Sequence, residues 1–178
     1  MSLQIREACR LARTVLTSIE TFVKPGVTTD ELDVVARDLI IQNNAYPSLL
    51  NFDGFPKSIS TSVNNVAAHG VPDSRPLQAG DILNIDVTVY LDGYHGDVSD
   101  TFTVGEVDTF AERLIEVTRE TLNVGIDNCG PGKLQNIAEQ LTVLACRCWS
   151  ARYRSCHTQT CQEAEFYHNT TILQRTRL

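Results

Sequence analysis

An alternating strand closed by a tight turn, Ile82 to Val104, constrains this chain more than any other stretch. From Ile82 to Tyr90, Ile85, Val87 and Val89 face one way while Asn84, Asp86, Thr88 and Tyr90 face the other. That period of two belongs to a strand with one buried face. Asp92-Gly93 is a two-residue hairpin signal, which makes Tyr94–Val104 the returning strand. With Leu91 opposite Tyr94, opposed positions have numbers summing to 185, so Asp97 stands opposite Thr88 and Asp86 opposite Ser99. Asp86, Thr88 and Asp97 then share one face. The two aspartates become diagonal neighbours, roughly 7–8 Å apart at Cα.

Two carboxylates held that close repel each other unless a shared proton or a divalent cation lies between them. The other face of the strand is apolar and belongs to the core, so the pair faces outward, into a cleft or into solvent. A metal site and two solvated aspartates both remain open on spacing alone. His69, in Ala68-His69-Gly70-Val71-Pro72, is a further candidate, although a lone histidine is more often structural. His95, just before Gly96-Asp97, is expected on the face away from Asp97, in a structural role.

The hairpin is set among helices. Leu3, Ala8, Leu11, Ala12, Val15, Leu16 and Ile19 recur at helical spacing over about Ser2 to Phe22, and Lys24-Pro25-Gly26 stops the run. A second helix opens at Thr29-Asp30-Glu31, with Thr28 or Thr29 as N-cap, and carries Leu32, Val35, Ala36 and Leu39 on its stripe. Pro47 to Lys57 reads as a loop, and Ser58 to Ala68 alternates like a strand. Helical spacing returns at Asp108–Val124 and, past a Gly130-Pro131-Gly132 stop, at Ile137, Ala138, Leu141 and Leu144. Helix, Pro-Gly stop and helix thus occur twice, at about Leu3–Ile41 and Phe110–Leu144. This weak repeat suggests a fold of two related halves.

Composition narrows the function. A net charge of -7 over 178 residues argues against nucleic acid as a partner, since phosphates call for a basic face. No apolar run reaches membrane-spanning length, and the first residues show no signal-peptide core. A cytoplasmic location is expected, with the mitochondrial matrix as the alternative. The six cysteines are then read as unpaired thiols, and the Asn169-Thr170-Thr171 sequon carries no weight.

Asn64-Asn65-Val66-Ala67-Ala68-His69-Gly70-Val71-Pro72-Asp73, then Gly80-Asp81-Ile82-Leu83-Asn84-Ile85-Asp86-Val87-Thr88-Val89, then Asp92-Gly93-Tyr94-His95-Gly96-Asp97, together resemble the type 1 methionine aminopeptidases. Phe55-Pro56-Lys57-Ser58 and Thr61-Ser62-Val63-Asn64 extend the likeness upstream, so that it covers about Ile5 to Lys133. The resemblance implies an α+β pita-bread fold, here truncated, with an antiparallel sheet and helices packed on one face. It implies removal of an initiator methionine from nascent chains, with a peptide N-terminus beginning in Met as partner. It also implies a centre of two divalent metal ions, of Co, Mn, Fe, Zn or Mg. By resemblance Asp86 is a ligand of one metal and Asp97 the carboxylate bridging both. His69 contacts the substrate and donates in the transition state, and Phe52 and Phe55 line the methionine pocket.

The sequence departs from that pattern beyond Lys133. The family's other ligands, a histidine in a Gly-His-Gly-Ile-Gly-type motif and two glutamates, have no match there. His157 and His168 lack flanking glycines, and Glu163 and Glu165 stand too close together. Residues 1–133 are therefore expected to form the N-terminal portion of a catalytic domain, and 134–178 a divergent tail, out of frame or alternatively spliced. A cysteine-rich zinc appendage built on Cys146, Cys148, Cys156, His157 and Cys161 is the other reading of the tail, although its spacing fits no common finger. Three functions follow: an active metalloaminopeptidase, a catalytically inactive fragment with a binding role or none, or a metal-free partner-binding relative. The aspartates and His69 argue against the third.

Overall fold

The structure, a computed structural model, describes residues 2–128. The chain divides into two compact units, residues 1–111 and 112–178. The first contains helices α1 (Ser2–Glu20) and α2 (Thr29–Gln42) and strands β1 (Tyr46–Pro47), β2 (Ser60–Val63), β3 (Ile82–Leu91) and β4 (Tyr94–Thr103). A helix α3 (Thr109–Asn128) begins at its end and continues into the second. The helix expected near Ile137, the boundary at Lys133 and the cysteine-rich tail lie outside the described residues.

The sheet is antiparallel and centres on β3. β4 pairs along its whole length, while β1 and β2 divide the other edge between them. The hairpin register runs from Ile82↔Thr103 to Leu91↔Tyr94, and every pair sums to 185, as the turn arithmetic required. Asp92 and Gly93 have φ of 50° and 90°. Left-handed geometry at both turn positions matches the twist of the two strands.

Alternation then sorts the faces. Leu83, Ile85, Val87 and Val89 are fully buried, and with Ala12, Val15, Leu16, Ile19, Leu32, Ala36 and Ile40 they form the core. Helices therefore cover one face of the sheet, as expected. Each valine, leucine or isoleucine side chain so taken from water stabilises the fold by about 1.5–3 kcal/mol. α1 approaches the sheet closely at Gly96, where a Cβ would fall 2.2 Å from the Ala8 carbonyl carbon. Only a glycine lets α1 lie on β4 at that point.

Three expectations need correction. Leu3, placed on the α1 stripe, is 67% exposed, because it lies in the first turn, one turn short of the packed residues. The strand expected over Ser58–Ala68 is confined to Ser60–Val63, since Asn64 turns left-handed at φ 51° and its side chain bonds Asp81 and the Ile82 amide. α3 outruns its expected end at Val124 and continues to Asn128. The N-cap of α2 is Thr28. Its hydroxyl accepts from the Glu31 amide while the Glu31 carboxylate accepts from the Thr28 amide, a reciprocal capping box.

Candidate metal centre

The face of β3 opposite the core presents Asn84, Asp86, Thr88 and Tyr90. Asp97 is paired with Thr88, and the Thr88 hydroxyl donates to Asp97 Oδ1 at 3.2 Å. Asp86 and Asp97 thus stand on one face, as the period of two demanded. Asp86 is half-buried, and its carboxyl is pushed up to about 6. Loss of solvent is the largest cause. The charge of Asp97 and a side-chain hydrogen bond with it come next, and the positive charge of His69 opposes them.

Asp86 Oδ1 is buried and has no hydrogen-bond partner. A buried carboxylate oxygen without a donor is costly. Here its neighbour is a second carboxylate, which offers no proton when both are ionised. A proton or a hard cation relieves that arrangement, and oxygen donors suit magnesium or manganese best. The donor set fits a divalent ion but is short. Among the described residues no group of three or more His, Cys, Asp or Glu side chains could hold a metal.

His69 comes to the site from the loop after β2. Its φ is +55°, unusual for a residue with a side chain, and it is exposed. Its charge acts on Asp86 and opposes the upward shift of that carboxyl. Phe52 opens a short 3₁₀ turn, Phe52–Gly54, in which Asp53 is left-handed at φ 49°, and Phe55 follows it. Phe52 is 70% exposed and Phe55 half-buried.

His95 requires a correction. Residues two apart on a strand share a face, so His95 lies on the side of Asp97 and not away from it. Its ring packs on Tyr90, 4.9 Å between centroids, and its Nδ1 meets Ser48 Oγ at 2.9 Å. Sequence reasoning also passed over Ser62, Gly70 and Gly96. Each glycine is adjacent in sequence to a candidate site residue, a signal that was available.

Comparison with known proteins agrees with this geometry. The model of metallopeptidase family M24 matches residues 3–171. Methionine aminopeptidase 1D, chloroplastic/mitochondrial, of Arabidopsis thaliana is 62% identical over 112 residues, which is 63% of this chain and 32% of that protein. The human mitochondrial methionine aminopeptidase 1D is 54% identical over 128 residues, 72% of this chain and 38% of its own. The chain thus spans about a third of the length of these relatives. A crystal structure of methionine aminopeptidase from Rickettsia prowazekii superposes with a TM-score of 0.77 at 43% identity, covering 80% of this chain and 58% of that one. Escherichia coli aminopeptidase P, at 16% identity and TM-score 0.77, shares the fold. The α+β arrangement is part of the pita-bread fold, and the chain is a member of metallopeptidase family M24.

Proposed function

We propose that this chain carries one part of a methionine aminopeptidase site, for peptides that begin with methionine. The observation that carries this reading is the buried, donor-less Oδ1 of Asp86, in a carboxylate that stands beside Asp97, with the charge of His69 acting on Asp86. Asp86 would hold one divalent ion and Asp97 would bridge two, whether the ion is Co, Mn, Fe, Zn or Mg. Such ions, when bound, supply Lewis acidity at the scissile carbonyl. His69, exposed beside the pair, would donate to the substrate where charge develops. Phe52, largely exposed, would cover the methionine side chain together with Phe55. The names of the relatives, chloroplastic/mitochondrial and mitochondrial, favour a chloroplast or mitochondrion over the cytoplasm. Residues 1–133 would form the peptidase portion and 134–178 a divergent tail.

A second reading, a chain that binds without turnover, is favoured by the shortage of ligands among the described residues. Both readings require the two aspartates to act on a cation. Calorimetry with Mn²⁺ is expected to show binding weaker than micromolar that is lost on Asp86→Asn and on Asp97→Asn. Binding that survives both substitutions would refute the site. Micromolar or tighter binding would reveal ligands beyond these two and overturn the second reading.

A further inference from the structure

His69 owes its place to its neighbour. Gly70 is pinned to β2 through both of its backbone polar groups. Its N–H donates to Ser62 Oγ at 3.1 Å, and its carbonyl accepts from the Thr61 N–H at 2.8 Å. The fit leaves no room, because a Cβ on Gly70 would fall 2.1 Å from the Thr61 carbonyl oxygen. Three residues on, Asp73 is tied to α2. Its N–H donates to Thr29 Oγ1 at 2.8 Å, and its carbonyl accepts from the Asp30 N–H at 3.0 Å. Between the end of β2 and these anchors, His69 holds a left-handed backbone at φ +55°.

Such a conformation persists in a residue with a side chain only where its surroundings over-determine it. The Ser62 bond fixes the plane of the 69–70 peptide, and with it the direction in which His69 leaves the chain. Ser62 is 5% exposed and pairs with Asn84 of β3. Paired residues share a face, so Ser62 projects on the face that carries Asp86. One hydrogen bond and one left-handed residue are of comparable energy, so loss of the bond frees the backbone.

We propose that Ser62 is a positioning residue for His69: its hydroxyl holds Gly70 and thereby keeps the imidazole beside the carboxylate pair. This rests on the reading of His69 as the group that meets substrate, and the experiment separates the two. Carbon–proton correlation spectra of the histidine rings would be recorded on the full chain, with His69 assigned through His69→Gln. In Ser62→Ala, the His69 ring signals are expected to move to the positions of an unstructured histidine. The Gly70 amide should exchange about tenfold faster, the factor that goes with one lost hydrogen bond. Ser62→Thr, which restores a hydroxyl, should return both. Ser62→Cys, which keeps the shape with a weaker acceptor, should move them in the same direction and serves if the alanine variant fails to fold.

A merely structural serine would lower the melting temperature and leave the His69 signals in place, and that result overturns the proposal. So does a threonine variant that behaves like alanine. Separately, a Met-Ala-Ser peptide titrated into the unsubstituted chain should shift the His69 signals. If it does not, the substrate role of His69 fails, and the positioning by Ser62 is judged on the variants alone.

Discussion

Asp86 and Asp81 are close in sequence, yet their surroundings push them in opposite directions. Asp81 is buried. It accepts two bonds from Arg75 and one each from Asn64 and the Gln78 amide, and its carboxyl falls to about 2. A depressed carboxylate stabilises the fold fully above its unfolded value near 3.8, and that stability is lost as pH falls through about 2. Asp81→Asn should therefore cost about 1–2 kcal/mol at pH 7, allowing for solvent around Arg75, and much less at pH 2. Denaturant melts at the two pH values measure it. Asp86 has the opposite sign. Raised to about 6, it favours the fold below the unfolded value, and that contribution disappears as pH rises through 6. Without metal, Asp86→Asn should thus raise stability above pH 6 by about 1 kcal/mol, after a discount for its half-exposure. Thermal melts at pH 7.5 and pH 4 with chelator should show a gain at the first that shrinks at the second. A gain of equal size at both would dismiss the carboxylate pair as its cause.

Among the elements, the hairpin was legible and the loop that brings His69 was not. Pairing across Asp92-Gly93 depends on local alternation and turn geometry, so counting residues placed Asp86, Thr88 and Asp97 on one face. His95 was misplaced because the same rule was not carried two residues further back along β4. The position of His69 depends on bonds with Ser62 on β2 and with Thr29 and Asp30 at the start of α2, two separate stretches, and no periodicity records them. The overlong β2 has a related cause. Asn64 leaves the strand because its side chain bonds Asp81 and the Ile82 amide, partners more than fifteen residues away. The α2 N-terminus was read to within one residue, since a capping box is written in four consecutive positions. Thr28→Ala should remove the hydroxyl half of that box, leave the backbone amide to bond Glu31, and destabilise the chain by about 1 kcal/mol, read as a lower urea midpoint with unchanged slope.

At the scale of the molecule, sheet, helices and family agree, and the open matter is turnover. The chain of 178 residues is expected to release no measurable methionine from a Met-Ala-Ser peptide with added Co²⁺ or Mn²⁺. A cation activates water only when held firmly, with fixed geometry at the carbonyl, and two aspartates are a sparse grip. Chromatography for free methionine, beside an intact homologue, checks this. Turnover abolished by both Asp97→Asn and His69→Ala would mean that residues beyond Lys133 supply ligands. The hairpin has one more consequence, for how such chains can vary in length. Because faces alternate residue by residue along a strand, the two aspartates share a face only while the count within each strand keeps its parity. A single residue inserted in β4 between Tyr94 and Asp97, and not bulged out of the ladder, would drive Asp97 into the core and push Val98 toward solvent. A residue inserted at Asp92-Gly93 would lengthen the loop and leave both where they are. Length changes between Asp86 and Asp97 in working relatives should therefore fall in the turn and spare the strands.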